Sequence, residues 1–304
     1  MSGPVPTDLL GEMYAQWIAE MTKYPDMSID LLRIIFEDWS RATAEPENVT
    51  YKETTIGGVP GILVTPIVSD SSQILVLMHG GGFALGSAST HRKLAGHLAK
   101  ALGTHAFVAD FRLAPETRFP GQLEDGVSIL DALVADGYDI ANITPVGDSA
   151  GANLAIGMVQ MLKDAGKPLP AQVITMSPWL NMENNGETLA SNNDTDFLIA
   201  PEGLQGNIDR YLVDSSLWTH PLANPLYADF SDFPRLYICA SSHESLFDNA
   251  VQLDKRARAA GVDVTFSVGE GQQHVYPLLA GRHDRADEEI ALIADWYRAG
   301  RSAH

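Results

Sequence analysis

Short apolar runs alternate with segments of helical periodicity along most of the chain, and this alternation restricts the fold more than any other feature. The runs span residues 74–78, 105–109, 143–146, 173–176, 236–240 and 262–268. Strands separated by helices form βαβ units, in which the strands lie parallel and helices cover both faces of the sheet. The sequence therefore predicts an α/β protein with a mostly parallel central sheet. Such sheets carry their sites at the carboxyl ends of the strands.

Two segments depart from the alternation. Residues 9–39 show two stretches of apolar residues at helical spacing, and residues 51–65 predict a hairpin around two adjacent glycines. Between Trp179 and Phe233 we expect no buried strand, only a polar loop and one helix near residues 202–212. An insertion of this length is usually a lid or a binding segment, and a surface excursion without a function is the alternative.

The charge balance disfavours two classes of partner. Asp and Glu total 39 against 20 Lys and Arg, and the resulting net charge of −19 repels nucleic acid and anionic lipid. No apolar run approaches the roughly 18 residues of a membrane span, and residues 1–10 lack the features of a secretory signal. The single cysteine, Cys239, excludes an internal disulfide framework and fits a reducing compartment. We expect a cytoplasmic protein that binds no nucleic acid and has no membrane span.

The segment Gly147-Asp148-Ser149-Ala150-Gly151 fits the pattern G-x-S-x-G between a predicted strand and a predicted helix. A serine in such a sharp turn is pushed out of the sheet, and the flanking glycines are needed because side chains there would collide. The following helix directs backbone N–H groups to the same place. Glycines that only pack a helix on a strand are the alternative, but the context favours Ser149 as a nucleophile.

A glycine run, His79-Gly80-Gly81-Gly82, directly follows the strand at 74–78. Acyl transfer needs N–H donors that converge on an oxyanion, and glycines let the backbone approach that closely. We expect the donors to be Gly80, Gly81 and Ala150, whereas Gly82 either contributes or only permits the turn. A dinucleotide-binding loop fits less well, because the last glycine spacing is one residue too long.

A serine nucleophile needs a base, and the base needs an orienting acid. Of the nine histidines, His274 lies downstream of Ser149 in a glycine-containing loop just after a predicted strand. The chain order Ser, acid, His requires a carboxylate between them at another strand end. Glu244 is closest to the end of the strand at 236–240, whereas Asp248 lies where a cap or first-turn charge of the next helix would lie. We choose Glu244.

Metal and thiol chemistry are disfavoured. The sequence contains no cysteine cluster and no H-E-x-x-H motif, and His91 and His97 do not have the spacing of helical ligands. Cys239 lies inside an apolar run, where a small buried side chain is the ordinary explanation. We expect no cofactor and no metal.

Taken together, these motifs resemble those of the hormone-sensitive-lipase-like carboxylesterases of the α/β-hydrolase fold. The similarity runs in collinear order over roughly residues 50–300, through the two glycine motifs, Asp110-Phe111-Arg112-Leu113-Ala114-Pro115-Glu116, Phe119-Pro120, Glu124-Asp125, Glu244-Ser245-Leu246-Phe247-Asp248 and His274-Val275. The resemblance implies hydrolysis of short- to medium-chain acyl esters without a cofactor. It also implies cap helices at 1–45, an α/β-hydrolase core at 46–180 and 217–304, and a cap insertion at 181–216. Relatives often form dimers, so a homodimer is compatible with it.

Two positions depart from the family pattern. Glu244 stands where the family usually has Asp, so the strand end must lie slightly further back, and Phe111 stands where the family usually has Tyr. Some relatives that open lactone rings also carry Glu at the acid position, which keeps a lactone hydrolase as an alternative. A non-catalytic ligand-binding homologue is a second alternative, although no triad residue is missing. We expect Gly82, Phe83 and Trp179 to contact the substrate.

Overall fold

A single sheet of eight strands forms the centre of the described part of the chain. The structure, a computed structural model, describes residues 8–301; residues 1–7 and 302–304, at the ends of the predicted cap and core segments, lie outside it. The strands are β1 (Val49–Ile56), β2 (Val59–Pro66), β3 (Asp70–Met78), β4 (Thr104–Ala109), β5 (Ile143–Asp148), β6 (Gln172–Met176), β7 (Arg235–Ser241) and β8 (Val264–Gly269). Their order in the sheet is β1-β2-β4-β3-β5-β6-β7-β8.

Strand direction follows the length of the connections. The two-residue turn at Gly57 and Gly58 joins β1 and β2, which are antiparallel, and β2 is antiparallel to β4. The remaining neighbours, from β4 and β3 through to β8, pair in parallel. The prediction of a mostly parallel α/β sheet is confirmed, including the hairpin at its edge.

Helices connect the parallel strands and cover the sheet. They are α1 (Leu9–Lys23), α2 (Ile29–Phe36), α3 (Ala88–Leu102), α4 (Gly121–Ala135), α5 (Ala150–Asp164), α6 (Glu187–Ser191), α7 (Pro201–Tyr211), α8 (Phe247–Ala259) and α9 (Asp284–Arg301). Helix α3 begins four residues before the predicted 92–102 because Ser87 and Thr90 form a capping box. The predicted polar loop at 184–196 contains the short helix α6, which lacks the periodicity of a longer helix.

The core lies on both faces of the central strands. All residues of β5 and β6 are buried, and twelve of the fifteen residues of α5 are buried as well. Cys239 is fully buried in β7, as its apolar surroundings predict. Burial raises the pKa of its thiol well above the usual value, and the nearby Glu289 and Glu244 add to the effect.

The N-terminal helices are fastened to the core near the carboxyl ends of the strands. Arg33 of α2 donates to both carboxylate oxygens of Glu116 and to the carbonyl oxygens of Ala84 and Ala114. These contacts place α2 beside the segment that directly follows the glycine run at 79–82. No helix within residues 8–301 combines the length and the apolar character that crossing a membrane requires.

Candidate active site

Ser149 occupies the turn between β5 and α5 in a strained conformation. Its φ of 52° and ψ of −120° lie outside the regions that non-glycine residues favour. The two flanking glycines allow this turn, because a Cβ at Gly147 would overlap the carbonyl oxygen of Gly151, and a Cβ at Gly151 would overlap that of Met78. The Ser149 N–H also donates to the Met176 carbonyl, at 2.9 Å. The expected strand–turn–helix geometry is therefore present.

The glycine run differs from its prediction at one residue. The Gly80 N–H donates to Asp148 Oδ1 at 3.1 Å, so it is occupied within the protein and unavailable to a substrate oxygen. The expectation that Gly80 supplies an oxyanion donor is therefore wrong. Gly81 and Gly82 adopt φ values of 112° and 62°, and the hydrogen bonds of residues 8–301 leave their N–H groups and that of Ala150 without an acceptor.

Asp148 explains why Gly80 is held in this way. Its carboxylate is buried and also lies 3.3 Å from His91 Nε2. His79 Nδ1 lies 2.7 Å from the Gly80 carbonyl oxygen. Burial, reinforced by His91, lowers the pKa of His79 to about 4, so its ring is neutral at physiological pH. The ring stacks on Phe111 at 4.4 Å, which gives the residue that replaces the family's usual Tyr a packing role.

His274 and Glu244 form a buried pair at the ends of β8 and β7. His274 Nδ1 lies 2.9 Å from Glu244 Oε2, and the other carboxylate oxygen accepts from the Ser241 N–H at 3.3 Å. Burial raises the pKa of Glu244 despite its contact with His274. Burial alone would lower the pKa of His274, but the hydrogen bond and charge of Glu244 outweigh it and raise the pKa above 6.5.

The competing carboxylate, Asp248, has a different environment. It lies in the first turn of α8 and accepts a hydrogen bond from Gln252 Nε2 at 2.6 Å. Its own N–H donates to Thr188 Oγ1. Of the two carboxylates considered for this position, Glu244 is thus the one beside His274.

A cavity of about 490 Å³ joins these groups. Ser149, His274, Gly81, Gly82 and Trp179 line it together with side chains from α1, α2 and α7. His274 Nε2 is buried and has no hydrogen-bond partner among the described residues, so it is free to contact Ser149 or a substrate.

The cavity receives the predicted contact residues Gly82 and Trp179 but not Phe83. Phe83 is buried behind the lining, where it stacks on Tyr211 at 3.8 Å and packs against Trp179. Its predicted role in substrate contact is therefore replaced by a packing role. Its ring contacts with Tyr211 and Trp179 account for its burial, with 1% exposure.

Four residues that support His274 and Glu244 are not identified from the sequence. Tyr14 Oη donates to the His274 carbonyl at 3.0 Å, and Trp39 Nε1 donates to Tyr14 Oη. Ser177 Oγ accepts from the backbone N–H of Val275 at 3.0 Å and also hydrogen-bonds to Glu244. Asp196 adds negative charge near His274. These residues lie far from the loop in sequence, and no motif surrounds them.

The described residues offer no alternative metal centre. Within residues 8–301, no three His, Cys, Asp or Glu side chains cluster so that they could hold a metal ion. The arrangement brings a serine, a histidine with one free ring nitrogen and two glycine N–H groups to one cavity, with the Ala150 N–H group directly after the serine. These are the groups that acyl transfer requires.

Comparisons with known proteins agree with the fold. The family model for the alpha/beta hydrolase fold matches residues 75–278. An acetyl-hydrolase from Streptomyces hygroscopicus is 34% identical over 266 residues, which cover 82% of this chain and 88% of that protein. An esterase from Acinetobacter venetianus is 29% identical over 271 residues, or 89% of each chain.

Solved structures give the same result. The crystal structure of an esterase from the bacterial hormone-sensitive lipase family superposes with a TM-score of 0.91 at 32% identity, covering 97% of this chain and 99% of that one. The chain therefore belongs to the alpha/beta hydrolase fold family and is a carboxylesterase of its hormone-sensitive-lipase-like group.

Proposed function

We propose that this carboxylesterase hydrolyses short- to medium-chain acyl esters through a covalent acyl-enzyme on Ser149. The proposal rests on the two ring nitrogens of His274. Nδ1 is paired with Glu244, whereas Nε2 has no partner among the described residues. His274 also borders the same cavity as Ser149. A carboxylate can only accept from Nδ1, so the pairing leaves Nε2 as the proton acceptor.

Each group then has one role in the reaction. His274 takes the proton of the Ser149 hydroxyl as its oxygen attacks the ester carbonyl, and Glu244 stabilises the imidazolium that forms. The N–H groups of Gly81, Gly82 and Ala150 stabilise the oxyanion of the tetrahedral intermediate. His274 returns the proton to the leaving alcohol, and a water molecule repeats the sequence to release the acid.

The size and the apolar lining of the cavity favour a substrate with a small apolar acyl group. Its volume of about 490 Å³ lies in the range of pockets that bind small molecules. Apolar side chains from three separate segments line it, among them Ile18, Leu32 and Leu204. Two curated relatives named above are an acetyl-hydrolase and an esterase, which agrees with acyl groups of modest length.

A labelling experiment tests the nucleophile. We expect a fluorophosphonate to form one stoichiometric adduct, which peptide mapping assigns to Ser149. The Ser149→Ala variant should lose the adduct and about 10⁴- to 10⁶-fold in kcat on p-nitrophenyl butyrate. Ser191→Ala removes an exposed hydroxyl and serves as the control with wild-type activity. An adduct on another residue, or an active Ser149→Ala variant, would disprove the proposal.

A substrate panel tests the acyl preference. p-Nitrophenyl esters from acetate to laurate should give the highest kcat/KM between two and about eight carbons, because the volume of the cavity limits the chain. Several lactones measured in the same panel address the alternative substrate class. A kcat/KM for lactones above that for every linear ester would replace the proposed substrate class and retain the nucleophile.

A further inference from the structure

A buried carboxylate outside the proposed triad accepts hydrogen bonds from four side chains. Glu289 of α9 is fully buried. Its oxygens accept from Tyr237 Oη at 2.7 Å, Tyr276 Oη at 2.6 Å, Ser267 Oγ at 2.8 Å and Arg285 Nη2 at 2.8 Å. A buried carboxylate requires such compensation, but the proposed reaction does not explain why one is present here.

Two of the four donors to Glu289 lie at the two ends of the loop that carries His274. Ser267 lies in β8, two residues before that strand ends at Gly269, and Tyr276 follows His274 by two residues. Arg285 also donates to the Val268 carbonyl, at 3.3 Å. Two neighbouring side chains of α9 thus bind the chain before and after residues 270–275.

The two ends of the loop are also packed against each other. The ring of Tyr276 occupies the space beside Gly269, where any Cβ would overlap it. The Arg285 guanidinium lies over the same ring, 5.4 Å from its centroid. The position of Tyr276 is therefore set by Gly269, Arg285 and Glu289 together.

The residue between His274 and Tyr276 is strained. Val275 has a φ of 55° and a ψ of 42°, a left-handed conformation that a β-branched residue rarely adopts. Such a conformation persists only where neighbouring contacts impose it. Ser177 holds the Val275 N–H on one side, and Tyr276, bound to Glu289, holds the following residue.

We infer that Glu289 is a positioning residue of the carboxylesterase, which holds the His274 imidazole against Glu244 by binding both ends of its loop. The inference rests on the proposed role of His274 as the base. Without the Glu289 carboxylate, Val275 relaxes toward an ordinary conformation and His274 loses its alignment. An error of about 1 Å in such a group lowers the rate about 100-fold.

The first test compares two neighbouring glutamates. Glu289→Gln keeps the size of the side chain and removes its charge, and we expect kcat to fall about 10- to 100-fold while KM changes less than about twofold. Glu288→Gln is the matched control, because Glu288 is exposed and its one ion pair within residues 8–301 is with Arg285, at 3.9 Å. It should retain wild-type kcat.

The pH profile distinguishes positioning from loss of folded protein. The pKa of His274 is above its usual value because of Glu244, so a histidine that leaves Glu244 has a lower pKa. In Glu289→Gln the acid limb of kcat/KM should move to lower pH. If part of the enzyme is simply unfolded, activity falls by the same factor at every pH, and the acid limb stays where it is in the wild type.

A second variant covers the case in which Glu289→Gln does not fold. Tyr276→Phe removes one donor and leaves the other three on Glu289, and we expect about a 3- to 10-fold lower kcat. In the double variant Glu289→Gln/Tyr276→Phe, kcat should equal that of Glu289→Gln alone. The contact that Tyr276→Phe removes is one that Glu289→Gln has already disrupted. Multiplied effects in the double variant would contradict the inference.

The outcomes separate this inference from the proposed function. If Ser149→Ala remains active, the proposed function fails. If Ser149→Ala is inactive while Glu289→Gln and Tyr276→Phe keep wild-type kcat and acid limb, only the positioning role of Glu289 fails. A lower melting temperature with unchanged kcat would likewise assign Glu289 to stability alone.

Discussion

Ser149 and His274 border one cavity, but the protein holds them by different means. The Ser149 turn is set by backbone sterics, within the turn at Gly147 and against the end of β3 at Gly151, because neither glycine has room for a Cβ. The His274 loop is set by side chains from remote parts of the chain, with Tyr14 separated from it by 260 residues in sequence. A nucleophile held by its own backbone is insensitive to side-chain changes elsewhere, whereas a base held by remote side chains depends on all of them.

The largest effect on the histidine side should come from Glu244→Gln. The amide leaves His274 without a charge partner and favours the wrong tautomer, so we expect about a 10³- to 10⁴-fold loss of kcat with little change in KM. Only the neutral imidazole accepts a proton, so wild-type activity rises with pH through a His274 pKa above 6.5. In Glu244→Gln the hydrogen bond and charge of Glu244 no longer oppose burial, so the pKa of His274 falls. The acid limb should therefore move to lower pH.

Two further carboxylate variants sharpen this prediction. Glu244→Asp keeps the charge on a shorter side chain and should lose about 10- to 100-fold in kcat. Asp248→Asn should leave kcat nearly unchanged and lower the stability by about 0.3–1 kcal/mol, because its charge lies in the first turn of α8. A collapse of turnover in Asp248→Asn, with Glu244→Gln active, would exchange the two roles.

On the serine side, a single methyl group should be damaging. In Gly151→Ala the new Cβ meets the Met78 and His79 carbonyl oxygens, and backbone atoms cannot move away as a flexible side chain can. We expect a melting temperature lower by about 10 °C or more, measured by circular dichroism.

A second helical glycine provides the matched control for this change. Gly203 in α7 is exposed and has no atom near the position of a Cβ. Gly203→Ala should therefore raise the stability, by up to about 1 kcal/mol, through helix propensity. If Gly151→Ala were as stable as Gly203→Ala, the serine turn would not depend on the close approach of its backbone to β3.

Among the changes to residues that hold the histidine loop, Tyr14→Phe should have the smallest effect on kcat, because it removes one remote contact. The change leaves the His274 carbonyl and Trp39 Nε1 without their partner, so stability should fall by about 1–3 kcal/mol. We expect kcat to fall about two- to fivefold, since Ser177 and Tyr276 still hold the loop. Tyr138→Phe, at a partly buried tyrosine that does not line the cavity, is the control and should change neither quantity.

The same contrast explains what the sequence could predict. The Ser149 turn and the hairpin at 57–58 follow from adjacent residues, so short patterns were sufficient to identify them. Glu244 was identified from chain order and strand ends, and the structure places it beside His274. The prediction for Gly80 is wrong because the carboxylate that takes its N–H lies 68 residues away.

Contacts between remote residues leave no pattern of this kind. Glu289 is one of several acidic residues on an otherwise ordinary amphipathic helix, and its partners Tyr237 and Tyr276 lie 52 and 13 residues away. Phe83 follows the glycine run, but its ring packs on Tyr211 and Trp179 instead of lining the cavity. Both cases depend on side-chain contacts that composition and periodicity do not contain.

Because Cys239 is buried, its reaction with a thiol reagent can report on opening of the sheet. The sequence has one thiol, and it lies without exposure in β7, the strand that ends at Ser241 next to Glu244. A thiol-reactive dye can modify it only when β7 separates from its neighbours, since the folded state withholds both access and the thiolate. The modification rate of the unaltered enzyme therefore measures how often the strand beneath the acid residue is exposed, without any engineered label.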